Sequence, residues 1–268
     1  MTAASALIAL AGCADPGATV RGVHLIQAGK ITTCTHLPYP PFQSESKDVP
    51  DEVIGFDVAV IDLVARELGV KQQVIDTQFE TIKTGADLNA RQCDVAAAGM
   101  TITKERLASM DFSAPYFNAT QALMARKGSG IRSLEDVRAG RARLGAQAGT
   151  TGESYVQEKG LEARSYDNTQ SQLDSLKINE TQVVVQDYPV VSDWLKKPEN
   201  ANLELVGKID TGEQYGFAVR KDGNPELVRL IDTALRRAVA DGTYRRLYEQ
   251  WIGPMPAEAL KDVGRPTQ

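Results

Sequence analysis

Two histidines and three cysteines in 268 residues leave little material for metal chemistry, and His24 and His36 offer no ligand spacing with one another or with a cysteine pair. A basic excess is also missing. Lys and Arg number 30 against 35 Asp and Glu, a formal charge of -5 with pI near 5.3, so the electrostatic footprint of a nucleic-acid binder is absent. No G-x-x-x-x-G-K-[ST] phosphate loop occurs, nor any paired nucleophile and base, and no cofactor is implied. What is present is ordinary globular material, 42% hydrophobic and 24% charged. A chain of this length most naturally forms two cores of roughly 100 to 150 residues each.

The one early apolar run, ALIALAG at 6–12, is far too short to span a bilayer and ends in LAGC. It resembles the lipobox of bacterial lipoproteins. That likeness implies a signal peptide over 1–12, cleavage before Cys13 and a lipid on its sulfur, leaving the protein membrane-anchored outside the cell. The positively charged segment that normally precedes such a run is missing, so the start of the signal stays open; a fortuitous cysteine after an alanine-rich stretch is the alternative. Asp15, Pro16, Gly17 and Gly22 show no periodicity, and 13–29 reads as a flexible tether.

Cys34 and Cys93 remain. In an oxidising compartment an even pair invites a disulfide, and each cysteine lies in or beside an expected strand. Two buried free thiols are the alternative.

Along the chain, strands alternate with helices. ITTCTH is followed by the Pro-rich PYPPF and by DVAVIDLVARELG, whose Val58, Ile61, Val64, Ala65 and Leu68 have helical spacing stopped by Gly69. QQVID is a strand, FETIKTGADLNA a helix, and CDVAAAG a strand suited to a covered sheet. A second set follows: helix SLEDVRAG, strand RARLGAQ, helix TGESYVQEKG, helix TQSQLDSLKIN with a Thr169/Gln172 capping box, and strand VVVQD. Two amphipathic helices broken at Gly242 close the chain. The repetition predicts an α/β protein of two lobes with parallel sheets and two crossings near 122–126 and 215–220. The expected limits are 30–122 and 216–252 for the first lobe, 123–215 for the second, and 253–268 for a C-terminal tail. No association signal is visible, which leaves a monomer as the default.

In open α/β sheets, ligands lie beyond the carboxyl ends of strands. GMTITKER at 99–106 has that position: Gly99 permits close approach, Thr101 supplies a hydroxyl and an N–H, Thr103 can cap the helix, and Arg106 can grip a carboxylate with two hydrogen bonds. A helix cap followed by a solvated arginine would look the same locally. AGTTG at 148–152 makes a second anion-favouring corner through Gly149, Thr150 and Thr151. Asp187, ending VVVQD, is a carboxylate at the mouth of a buried strand, where a ligand ammonium would satisfy it; capping of the next helix is the alternative. Arginine and aspartate together are complementary to a zwitterion.

THLPYPPF at 35–42, GFDV at 55–58, GMTITKER, DFSAPY at 111–116, AGTTGESY at 148–155, VVVQD and ADGTYRRLYEQW at 240–251 resemble, as an ordered set, the bacterial extracellular solute-binding proteins for polar amino acids. The resemblance implies a periplasmic-binding-protein-like type II fold with two hinge strands, service to an ABC importer permease, and no enzymatic activity. It further implies that Arg106, Thr101 and the backbone at Thr151 hold an α-carboxylate, that Asp187 with Gly99 and Thr101 binds an α-ammonium, and that Tyr39 and Phe79 sandwich the side chain. Members that bind basic amino acids carry an acid where this chain has His36, which weakens the case for a basic ligand. Gln147 also faces the expected pocket. The competing readings are a cyclohexadienyl dehydratase on the same fold, with Glu80 or Glu153 as acid or base, and an amino-acid sensor subunit.

Overall fold

The computed structural model describes residues 17–265. The segment 1–12, expected to be a signal peptide, and Cys13 lie outside the described residues. Two five-stranded sheets form two lobes. The first runs Lys71–Asp76, Lys30–Thr35, Val95–Ala96, Ala218–Arg220, Met110–Phe112; the second runs Ala163–Tyr166, Leu144–Gln147, Val183–Asp187, Gln121–Arg126, Leu203–Ile209. In each sheet the first three strands are parallel, joined through helices as the alternation demands. The fourth is antiparallel to both its neighbours, so the sheets are mixed where all-parallel ones were expected. The cause lies in the connectivity: each fourth strand enters from the opposite lobe and so runs against the local strands.

The change of lobe occurs earlier than the expected crossings. Phe117–Asn118 and Gln214–Tyr215 pair as a two-stranded antiparallel ribbon between the sheets, whereas Gln121–Arg126 belongs wholly to the second sheet and Ala218–Arg220 to the first. The expected hinge at 122–126 is thus a central strand. It was misplaced because a buried strand and a crossing strand share the same apolar pattern.

Three further expectations are corrected. Residues 18–29 are no loose tether. Ala18–Val20 and Val23–Leu25 form a hairpin whose Val23 and Leu25 enter the core, and the Asp94 carboxylate accepts hydrogen bonds from Ile26 N–H (2.8 Å) and Thr32 N–H (2.8 Å). The segment FETIKTGADLNA splits into Phe79–Lys83 and Ala86–Asn89, because Gly85 sits at φ 77° between them. The capping box at Thr169 is not formed. Asn168 is the cap, accepting from Ser171 N–H at 2.8 Å, and the Thr169 hydroxyl instead donates across the cleft to Pro38 O at 2.6 Å.

Other local signals act where expected. Phe56–Leu68 ends at Gly69 in the left-handed region, and Thr103 and Ser133 each cap a helix through the hydroxyl; Thr150 does the same, a cap not among those expected from the sequence. Pro225–Ala240 and Thr243–Trp251 are broken at Gly242 and pack back on the first lobe. The tail follows them: Val263 is buried, and Gly264 N–H donates to Pro115 O at 2.9 Å.

Cys34 and Cys93 form a disulfide, with Cα atoms 5.6 Å apart and a sequence separation of 59. It ties Lys30–Thr35 to the entry of Val95–Ala96 beneath the cleft. In the chain-entropy picture, closing such a loop stabilises the fold by roughly 4 kcal/mol. Reduction with dithiothreitol is expected to lower the unfolding free energy by about 2 to 4 kcal/mol, read as a fall in the urea midpoint; an unmoved midpoint would show that the bond constrains nothing.

Candidate functional site

Strand ends place the site. His36 follows Lys30–Thr35, Ala98 and Gly99 follow Val95–Ala96, Gln147 ends Leu144–Gln147, and Asp187 ends Val183–Asp187. Phe79 opens the helix after Lys71–Asp76, and Arg106 lies one turn into Lys104–Ser109, whose start is fixed by the Thr103 cap. These ends converge on one narrow cleft between the lobes. All ten residues singled out from the sequence line it: His36, Tyr39, Phe79, Gly99, Thr101, Arg106, Gln147, Thr150, Thr151 and Asp187. Gln43 and Ala98 complete the lining and were not foreseen.

The lobes touch across this cleft. Arg106 donates from Nη2 to Gly149 O at 3.3 Å, and the Thr101 and Thr151 hydroxyls lie 3.4 Å apart. His36 Nε2 lies 3.3 Å from Asp167 O, and the Tyr39 hydroxyl donates to the Asp187 carboxylate. Arg106 is buried and also donates to Thr101 O at 2.8 Å, with its guanidinium 5.6 Å from the centre of the Phe79 ring. Burial pulls its pKa down, while the carboxylates of Glu213 and Asp187 pull it back up.

Asp187 occupies the N-cap position of Tyr188–Lys196 yet makes no cap hydrogen bond. Its carboxylate turns into the cleft, where it accepts from the Tyr39 and Tyr215 hydroxyls and from Gln121 Nε2 at 2.5 Å. Burial raises its pKa; the hydrogen bonds from the two tyrosines and Gln121 oppose that rise, and the charge of Glu213 adds to it. Tyr215 and Gln121 are functional neighbours that sequence reasoning missed. Both lie in or beside the crossing strands, and the run YGFAVR at 215–220 held the only signal for the first.

Gly99 closes the floor. Its φ is +55°, and a Cβ there would stand 2.7 Å from the Tyr39 ring, so glycine is required twice over. Its N–H donates to Asp57 Oδ2 at 2.8 Å, and Asp57 Oδ1 accepts from the Tyr116 hydroxyl at 2.7 Å. Asp57, from the GFDV stretch, is fully buried, and desolvation raises its pKa to about 7 despite both hydrogen bonds. It was not singled out because one acid among helix-start residues reads as a first-turn charge.

The two glutamates considered for acid–base chemistry do not line the cleft. Glu80 is exposed and pairs with Lys83 at 3.0 Å, while Glu153 accepts from Gly149 N–H at 2.7 Å and from the Ser165 hydroxyl. Among the described residues, no group of three or more His, Cys, Asp or Glu side chains is placed to hold a metal, and no helix is long and apolar enough to cross a membrane.

Two lobes joined by a paired ribbon, with one buried cation and one buried carboxylate lining the cleft between them, are the architecture of a two-lobe ligand-binding fold. Residues 31–254 match the bacterial extracellular solute-binding proteins, family 3, and the chain belongs to that family of transport proteins. It is 33% identical over 210 residues to an ABC transporter glutamine-binding protein of Bacillus subtilis, covering 77% of this chain and 76% of that one. An ancestral arginine-binding protein solved with glutamine bound is 37% identical, with TM-score 0.77, over 85% of this chain and 99% of that chain. An ancestral amino acid-binding protein described as a precursor of cyclohexadienyl dehydratase is 32% identical, with TM-score 0.76, over 84% and 96%.

The buried Asp57 carboxyl gives a pH dependence with a defined sign. Its folded pKa lies above the unfolded value, so between about pH 4 and pH 7 the native state binds the extra proton and its stabilisation fades as pH rises. The stability of the native protein relative to Asp57→Asn is expected to fall by roughly 2 to 4 kcal/mol across that window, measured by urea denaturation at a series of pH values. Parallel profiles would remove the buried acid as the cause.

Proposed function

We propose that the protein is the extracytoplasmic substrate-binding component of an ABC importer, capturing an α-amino acid between its lobes for delivery to a membrane permease. The observation that carries this reading is the pairing of one buried guanidinium, Arg106 of the first lobe, with one buried carboxylate, Asp187 of the second, in a single cleft. A zwitterion satisfies both, and a ligand lacking either charge leaves a buried ion without its partner.

In this reading, Arg106 holds the α-carboxylate with the Thr101 hydroxyl and the Thr151 N–H. Asp187 takes the α-ammonium, with Gly99 and Thr101 beside it; the Tyr39 and Tyr215 hydroxyls, which bond that carboxylate here, favour its charged form against the effect of burial. Phe79 and Tyr39 flank the side chain. Closure follows from geometry: groups of the second lobe gain their ligand contacts only when the ribbon Phe117–Asn118/Gln214–Tyr215 lets the lobes meet, so ligand binding shifts the population toward the closed form. The lobes then extend over about 18–118 with 216–265, and about 119–213. A lipid on Cys13 would hold a monomer at the outer face of the membrane.

Arg106→Ala is expected to weaken amino-acid binding by about 100-fold or more and Asp187→Asn by about tenfold or more, both with a native circular dichroism spectrum. Calorimetric titration of ligand-stripped protein checks both; native affinity in either variant would place the zwitterion elsewhere.

A further inference from the structure

The charges of the cleft are used up by the α-groups. Of its lining residues, Arg106 and Asp187 carry the fixed charges, one of each sign. Glu213 stands behind them, its carboxylate taken up by the Thr151 and Thr211 hydroxyls at 3.2 and 2.9 Å. A ligand side chain bearing its own charge would be desolvated with no further carboxylate or ammonium among the lining residues to meet it. The side chain must therefore be uncharged, and two amides decide what kind.

Three glutamines form a chain in the second lobe whose direction is set by backbone groups. Gln172 Nε2 donates to Gly145 O (3.2 Å) and Val185 O (2.7 Å), which leaves its oxygen to accept from Gln186 Nε2 at 3.0 Å. Gln186 Oε1 in turn accepts from Asp187 N–H at 2.8 Å and lies 3.1 Å from the Tyr39 hydroxyl, whose proton goes to the Asp187 carboxylate. The second Gln186 N–H therefore faces Gln147, whose Oε1 lies 3.5 Å away. With the Gln147 oxygen on the side of that donor, its amide N–H groups are the part of the side chain left to face the cleft that the residue lines.

Gln43, on the first lobe, is oriented the opposite way. Its Nε2 donates to His36 O at 3.4 Å, and its Oε1 is buried with no hydrogen-bond partner among the described residues. The cleft is thus lined by one residue with an orphaned carbonyl acceptor, Gln43, and by one with an amide donor to offer, Gln147. Leaving either unmet in the bound state costs its desolvation.

Resting on the amino-acid reading above, we infer that the ligand is an α-amino acid with a carboxamide side chain, its N–H received by Gln43 and its C=O by Gln147. A glutamate side chain supplies no donor for Gln43, and a guanidinium or ammonium supplies no acceptor for Gln147 and brings an unpaired charge. An aliphatic side chain satisfies neither.

The test uses protein freed of copurified ligand by denaturation, dialysis and refolding, titrated calorimetrically with L-glutamine, L-asparagine, L-glutamate, L-arginine and L-norvaline. One carboxamide amino acid is expected to bind at least about tenfold tighter than the other three side-chain classes. In Gln43→Leu, the ratio of carboxamide to norvaline affinity is expected to fall about tenfold or more. Gln147→Glu, which replaces the donor by a charged acceptor, is expected to raise the affinity for arginine relative to the carboxamide and serves equally if the first variant does not fold. Tighter binding of glutamate, arginine or norvaline by the native protein would overturn the inference and leave the amino-acid receptor standing. Ratios unmoved in both variants would also overturn it. Silence toward every amino acid would overturn both readings.

Discussion

The structure turns on the burial of one carboxylate. Asp187 sits at the end of a strand whose five residues are all buried, and removing its charge from water is unfavourable by several kcal/mol unless donors replace the lost hydration. The donors come from three places: Tyr39 in the first lobe, Tyr215 in the crossing ribbon, and Gln121 at the start of the second lobe's central strand. Satisfying this one group therefore fixes the two lobes and the ribbon relative to each other. Tyr215 also stacks with Phe117, its partner across the ribbon, at a ring separation of 5.5 Å, so the crossing and the charge are held by the same side chain.

The remaining polar groups of the cleft obey the same rule of compensation. Arg106 is buried against carbonyl oxygens and the face of Phe79, and Asp57 stands behind the floor with an N–H and a hydroxyl as its only partners. The amide chain from Gln172 to Gln147 extends that order without any ionic group. Its direction derives from the backbone carbonyls of Gly145 and Val185, which do not titrate.

Local chemistry was legible in the sequence and long-range chemistry was not. The Thr103 cap, the glycine stop after Leu68 and the glycine break at 242 depend on a few consecutive residues, and each can be read from spacing alone. The fold and the set of cleft residues came from an ordered series of motifs, because strand ends in an α/β lobe converge whatever lies between them. Gln43, Gln121 and Tyr215 do not stand out in the sequence because their roles depend on contacts 28 and 66 residues away or on a cavity no local pattern describes. Thr169 misled for the opposite reason. Its local pattern was a sound capping box, yet a carbonyl in the other lobe competed for the hydroxyl and won. The N-terminal hairpin was taken for a tether because glycine and proline mark turns as readily as looseness.

That hairpin bears on how the protein would search for its permease. The chain is docked on the first lobe from Ala18 onward. With a lipid on Cys13, as proposed, only a handful of residues would separate bilayer from body, a leash of about 17 Å even at full extension. The body would skim the membrane within a layer thinner than its own diameter, and an encounter with a permease would become lateral diffusion in two dimensions at high effective concentration.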